Sequence, residues 1–156
     1  MLKKFKNKDL LFTIALIMVF LIHMVFVFLI PYSDDESYYI ITPFRLLNGD
    51  SLVQHDWHLT QFSSLFNFVP VYIWTAIKGS YDEIFIFIRS IYLAMHTTVA
   101  VVIYRFFKKH GFWAILASMM FYVQIPYRFL AINYQSMYAM SLMVLCLCLL
   151  KIYEKK

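Results

Sequence analysis

The sequence predicts an all-α integral membrane protein: four transmembrane helices and an external loop of two juxtamembrane helices. Hydrophobic residues make up 62% of the 156 residues and aromatic residues 20%, and the mean hydropathy is +0.68. Only three glycines and four prolines interrupt the chain. A soluble domain of this size has too little interior to bury so much apolar surface, so a lipid bilayer is the expected environment.

The first predicted span runs from Leu10 to Ile30 and contains His23 but no charge. It is long enough to cross a hydrocarbon core of about 30 Å, and Pro31 ends it. The apolar run is too long for the core of a signal peptide and no small-x-small cleavage site follows it, so we interpret it as a retained span. Three further spans are predicted over residues 84–104, 112–130 and 131–150, the span 112–130 being bent or ended near Pro126.

Residues 62–78 are apolar but contain Asn67 and Pro70, so this segment either crosses the bilayer or lies at its surface. Basic residues form three clusters: Lys3, Lys4, Lys6 and Lys8; Arg105, Lys108 and Lys109; Lys151, Lys155 and Lys156. All three clusters face the cytoplasm only if residues 62–78 do not cross. The positive-inside bias favours that topology, with both termini cytoplasmic, and we expect a bacterial plasma membrane protein. The segment 62–78 then becomes a juxtamembrane helix.

The external loop, residues 31–83, holds most of the nine acidic residues. Its first part predicts a short amphipathic helix with Gly49 as the C-cap. Three consecutive acids, Asp34, Asp35 and Glu36, stand where this helix begins and suit its N-terminal dipole. A compatible interpretation is that one carboxylate faces a cleft at the membrane surface and acts as a general base.

An ordered set of residues follows the first span: Asp35, Glu36, Tyr39, Arg45, Gly49, Trp57, His58, Pro70 and Arg89. This set resembles the first external loop of the GT-C superfamily of membrane glycosyltransferases, such as the protein O-mannosyltransferases and the lipid A aminoarabinose transferases. The resemblance extends over about residues 8–150, because the segment from Tyr81 to Tyr122 looks like the second and third spans of that family.

The resemblance implies an inverting transfer of a sugar from a polyprenyl-phosphate carrier on the non-cytoplasmic face. Asp35 matches the catalytic base, which takes the proton of the acceptor hydroxyl as that oxygen attacks the anomeric carbon and the lipid phosphate leaves. The expected substrate-binding residues, besides the three candidates for the phosphate, are Glu36, Tyr39, Arg45, Trp57, His58 and Gln135. The expected partners are membrane lipids and the lipid-linked sugar donor.

An anionic leaving group requires a nearby cation, and three residues are candidates. Arg89 lies inside a span, where a charge costs about 2.5–3.5 kcal/mol and therefore needs a partner. That partner is either the phosphate or an acid: Asp82, Glu83 or Glu36. Lys78 either binds the phosphate or extends its ammonium to the interface, and Arg128 has the same two interpretations.

No cofactor is predicted, and a divalent metal is only a secondary interpretation. His55, Asp56 and His58 contain metal-ligand types, but they stand on a loop with no second cluster, which favours substrate binding or loop packing. Asn133 and Gln135 occupy a corner where the resembling family often has an acid, and neither can act as a base. Cys146 and Cys148 lie two helical positions apart and so point to different faces.

Four spans are fewer than the core of the resembling family contains, so sugar transfer would need further spans or a larger membrane partner. The alternative function is a non-catalytic four-span scaffold or partner subunit of a cell-envelope complex. A channel or transporter would need polar residues along several spans, and the sequence offers few. Nucleic acid is not an expected partner, because the chain has no basic face away from the membrane ends.

Overall fold

The computed structural model describes residues 2–31, 34–51, 54, 64–124, 130 and 132–154, with the side chains of residues 2–6 and 35 left out of the description. Within this part all regular structure is helical. The helices are α1 (Leu2–Leu29), α2 (Asp34–Leu47), α3 (Phe68–Lys78), α4 (Ile84–Phe107), α5 (Phe112–Val123) and α6 (Tyr134–Tyr153), with 3-10 turns at Leu65–Asn67 and Lys108–His110.

Three segments of the described chain are long and apolar enough to cross a membrane: Asn7–Leu29, Ile84–His110 and Tyr134–Tyr153. The chain therefore has the character of a multi-pass integral membrane protein, as predicted. The predicted span 112–130 is not confirmed, because α5 has only 12 residues. At 1.5 Å per residue it is about 18 Å long, which is too short for a hydrocarbon core of about 30 Å.

The last span begins later than the predicted residue 131 because Asn133 caps α6. Asn133 has an extended backbone, and its side-chain oxygen accepts a hydrogen bond from the Ser136 backbone N–H at 2.8 Å. In return the Ser136 hydroxyl accepts from the Asn133 N–H at 3.0 Å. This reciprocal capping box satisfies two donors that a helix terminus otherwise leaves unpaired.

The amphipathic helix predicted after the acids is confirmed as α2, and its end has the predicted glycine. Gly49 has φ +95° and its N–H donates to the Leu46 carbonyl at 3.1 Å. The Asp50 N–H donates to the Arg45 carbonyl at 3.0 Å. These two bonds form a Schellman motif, which needs the left-handed conformation that glycine adopts without a steric penalty.

Within the apolar segment 62–78, helix α3 contains 11 residues, Phe68–Lys78, and is about 17 Å long at 1.5 Å per residue. This length fits the predicted juxtamembrane helix better than a span. Gly79 ends the helix with φ +67°.

Helix α4 lies at the centre of the bundle and packs against α1, α5 and α6. Its apolar window is 44% buried within the chain, whereas the windows of α1 and α6 are each 17% buried. The main core includes Val27, Tyr92, Leu93, Ala100 and Tyr122. Large parts of α1 and α6 are therefore not covered by other parts of the chain.

Polar contacts join the beginning of α1, the α4–α5 connection and the end of α6, and we call this region the basic end. Asp9 accepts hydrogen bonds from the Tyr104 hydroxyl at 2.5 Å and from Lys108 at 2.8 Å. Lys109 donates to Glu154 at 2.6 Å. The beginning of α1, the end of α4 and the end of α6, which stand next to the three predicted basic clusters in the sequence, thus meet at one end of the bundle.

Candidate functional site

A buried ion pair joins α2 to α4 at the opposite end of the bundle. Arg89 Nη2 lies 2.5 Å from Glu36 Oε2, and Arg89 Nε lies 3.1 Å from Glu36 Oε1. The two side chains are only 2% and 4% exposed. The parallel two-bond geometry is the one in which arginine and carboxylate attract most strongly, so it fastens the first turn of α2 to the beginning of α4.

The same guanidinium also binds the end of α1. Arg89 Nη1 donates to the carbonyls of Val27 at 2.9 Å and Ile30 at 2.8 Å, and Nη2 donates to the Pro31 carbonyl at 3.3 Å. If α1 continued, the Val27 carbonyl would accept a hydrogen bond from the backbone N–H of residue 31. Pro31 has no backbone N–H, so it cannot donate this bond. Arg89 therefore supplies the donor that the proline lacks.

These five bonds use the five N–H donors of an arginine. Of the two interpretations of Arg89, the structure contains the ion pair with Glu36. A phosphate could bind this guanidinium only by displacing Glu36 or a carbonyl. Since Glu36 is buried and binds Arg89 through both carboxylate oxygens, its role in this structure is to position the first turn of α2 against α4.

The other two acids of the turn differ from Glu36. Asp34 is exposed at the first residue of α2. The backbone of Asp35 belongs to the same first turn, and its side chain is outside the description. The predicted base therefore lies on a helical turn that the ion pair holds against the ends of α1 and α4.

A second polar residue, Asn67, joins three segments near this site. Its side-chain nitrogen donates to the Ile132 carbonyl at 2.8 Å and to the Tyr39 carbonyl at 3.3 Å. The Tyr39 carbonyl lies four residues before Pro43, which is inside α2 and has no N–H to donate. Fully buried Asn67 thus bonds a carbonyl that the proline leaves free and ties α2 to the segment before α6.

The remaining predicted site residues that the structure describes occupy different environments. Tyr39 is buried, and its ring stands edge-on to Tyr38 with the centroids 6.2 Å apart. Arg45 pairs with Asp50 at 2.7 Å at the end of α2. The Gln135 amide donates to the Tyr134 hydroxyl at 3.0 Å.

Lys78 is the most accessible cation among the described candidates. Its side chain is 50% exposed, and its ammonium lies 3.6 Å from Glu83 and 5.3 Å from the centre of the Trp74 ring. An exposed ion pair of this kind contributes roughly 0–1 kcal/mol, so Lys78 can exchange Glu83 for another anion at little cost.

Several predictions fall outside the described residues, namely those on Trp57, His58 and Arg128 and the metal interpretation of His55 and Asp56. Within the described part no group of three or more His, Cys, Asp or Glu side chains is placed to hold a metal.

A third proline is associated with another long-range bond. His96 Nε2 lies 3.2 Å from the Tyr122 carbonyl, at the end of α5. Residue 126, which would donate to that carbonyl in a continuing helix, is a proline and has no N–H. The Tyr122 hydroxyl also bonds Thr97 at 2.7 Å. Sequence reasoning assigned no such role to Asn67, although the proline four residues after the Tyr39 carbonyl was a usable signal.

Comparison of the chain with protein-family models, with curated proteins and with solved structures found no match.

Proposed function

We propose that this chain is a polyprenyl-phosphate-sugar-dependent inverting glycosyltransferase of the GT-C type, or its N-terminal part, acting on the non-cytoplasmic membrane face. The observation that supports this most is the buried Glu36–Arg89 pair. It holds an acidic helical turn against the ends of two apolar helices, where a lipid-borne donor and a water-soluble acceptor can meet.

Asp35 is the proposed general base in this reaction. It removes the proton of the acceptor hydroxyl while the acceptor oxygen bonds to the anomeric carbon and the bond to the lipid phosphate breaks. Because Arg89 neutralises Glu36, the turn carries one fewer uncompensated negative charge beside Asp35. A positioned base of this kind contributes roughly 10²–10⁴-fold to the rate.

The leaving phosphate is assigned to Lys78 rather than to Arg89. Arg89 has its donors committed to Glu36 and three carbonyls, whereas the Lys78 ammonium is exposed and weakly paired. Arg128 is a further candidate on sequence grounds.

The test uses membranes that contain the full chain and a panel of polyprenyl-phosphate hexoses, with release of polyprenyl phosphate as the readout. Asp35→Asn should lower release at least about 100-fold, while Asp34→Asn, at the neighbouring exposed acid, should retain it. Both variants should insert into the membrane equally. Full activity in Asp35→Asn would exclude Asp35 as the base.

The alternative is a non-catalytic partner subunit of a cell-envelope complex. The low burial of α1 and α6 within the chain supports it, because a second membrane protein can cover their apolar faces. The intact mass of the native gene product and its co-purifying proteins separate the two proposals. A stable larger partner, together with tolerance of Asp34→Asn and Asp35→Asn, favours the subunit. A mass well above 18.7 kDa means that sugar transfer must be tested in the longer chain.

A further inference from the structure

A pocket of about 320 Å³ lies between α1 and α4 at the basic end, the end of the bundle opposite the Glu36–Arg89 pair. On both sides its lining residues are spaced i, i+3, i+4 and i+7, which places each set on one face of a helix. Helix α1 contributes Asp9, Phe12, Thr13 and Leu16, and α4 with the turn after it contributes Val101, Tyr104, Arg105 and Lys108. The pocket is therefore a groove between two helices, about 10 Å long at 1.5 Å per residue.

This groove is polar at one end and apolar at the other. At the polar end, Lys108 Nζ lies 2.8 Å from Asp9 Oδ2. One turn further into the bundle the Tyr104 ring stacks on Phe12, with the ring centroids 3.7 Å apart. Leu16, a further turn along α1, packs against the same aromatic pair. A molecule that matches the groove carries a polar head at the basic end and an apolar chain toward the middle of the bilayer, because polar groups placed against the apolar part would lose hydrogen bonds to water.

The polar end of the groove carries one positive charge in excess. The Asp9 carboxylate accepts hydrogen bonds from Lys108 at 2.8 Å and from the Tyr104 hydroxyl at 2.5 Å, so the Lys108 charge is compensated. Arg105 is exposed, and its guanidinium has no ion pair with any other residue that the structure describes. The planar fork of an arginine fits the oxygens of a phosphate group. A phosphodiester, which carries one negative charge, therefore balances this end of the groove.

We propose that this groove binds the headgroup of an anionic phospholipid of the phosphatidylglycerol type, as basic pockets between membrane helices do. Arg105 donates two hydrogen bonds to the phosphate, and Lys108 has N–H donors left after its bond to Asp9. The Asp9 carboxylate keeps acceptor sites for a headgroup hydroxyl. The first part of an acyl chain lies along Phe12 and Leu16, which a free phosphate would leave uncovered. This site does not depend on the proposed sugar transfer.

The test measures lipid binding to the full chain in detergent micelles by native mass spectrometry. The probes are phosphatidylglycerol, phosphatidylcholine with the same acyl chains, and two water-soluble anions, inorganic phosphate and glycerophosphoglycerol. The chain should hold one phosphatidylglycerol at least about tenfold more tightly than phosphatidylcholine, and neither soluble anion should displace it. Equal binding of the two lipids would overturn the proposal. Displacement by a soluble anion at the concentration of the lipid would show an anion site without lipid specificity and would overturn it as well.

Two variants separate a specific site from the general attraction of a basic surface for anionic lipids. Arg105→Gln removes the uncompensated charge inside the groove, and Lys151→Gln, the matched control, removes an exposed charge near the end of α6 and outside the groove. Both positions are exposed, so both variants should fold. Arg105→Gln should lower the affinity for phosphatidylglycerol at least about tenfold. Lys151→Gln should lower it no more than about twofold, because an exposed charge without a fixed contact contributes little. Equal losses in the two variants would overturn the proposal.

Discussion

Replacing Glu36 by glutamine should strongly destabilise the bundle, because it removes the buried carboxylate that pairs with the Arg89 charge. The pair is 2% and 4% exposed, so water cannot replace the lost carboxylate. Breaking a buried pair by removing one partner costs roughly 3–5 kcal/mol. Glutamine keeps one acceptor, and three backbone carbonyls still bind the guanidinium. We therefore expect the lower end of that range, about 3 kcal/mol, or about a hundredfold in the folding equilibrium.

The assay is reversible unfolding in mixed micelles, with the free energy of unfolding obtained for each variant. Asp34→Asn is the matched control, because it removes one negative charge from the same helical turn at an exposed position. Its effect should stay within about 0.5 kcal/mol, as for most surface substitutions.

A double variant separates the charge from the packing. Glu36→Leu combined with Arg89→Met removes both charges and keeps apolar volume, and such replacements of buried pairs are often close to neutral. Here Val27 also loses its Arg89 donor, so we expect a loss smaller than that of Glu36→Gln but above zero. The reasoning is refuted if Glu36→Gln costs no more than Asp34→Asn, or if the double variant costs as much as the two single changes together.

Two further predictions concern the basic end. Gly111 has φ +65° and ψ −118°, and an added Cβ would lie 2.3 Å from Lys8 Nζ, so Gly111→Ala should cost roughly 1–3 kcal/mol of unfolding free energy. Adding Lys8→Ala should recover little of this, since the lysine end can move and the backbone strain remains; full recovery would contradict a backbone origin. The hydrogen bond from Lys109 lowers the pKa of the Glu154 carboxyl below its usual 4.5. The Glu154 pKa is lower in the folded than in the unfolded state, so the Lys109–Glu154 pair stabilises folding at pH values above the ordinary glutamate pKa. This contribution is lost as the pH falls through the lowered pKa. Lys109→Ala should raise the Glu154 pKa in a carboxyl NMR titration, and an unchanged pKa would exclude this coupling.

The elements that depend on local pattern could be predicted from the sequence, and the ones that depend on distant partners could not. Gly49 and the amphipathic stretch before it indicated the extent of α2 correctly. The apolar length of residues 112–130 predicted a span, but length alone does not show that the helix ends at Val123 and that His96 bonds its last turn. Likewise, the sequence required a partner for Arg89 but could not choose between Glu36 and a phosphate, because that choice depends on how α2 packs.

The positions of the prolines explain several of the long-range hydrogen bonds that local sequence patterns did not predict. Three of the four prolines lie four residues after a carbonyl that accepts a bond from a distant side chain, the pairs being Pro31 with Arg89, Pro43 with Asn67, and Pro126 with His96. In an apolar surrounding a carbonyl without a donor is costly, so a proline in such a helix requires a donor from elsewhere in the chain. If this is the reason for Asn67, then Pro43→Ala should reduce the need for it, because the new N–H of residue 43 can donate to the Tyr39 carbonyl. Asn67→Ala should therefore cost about 1 kcal/mol less in the Pro43→Ala background than in the native chain. A double-mutant cycle in micelles measures this difference, and additivity within about 0.3 kcal/mol would show that the two residues do not serve the same carbonyl.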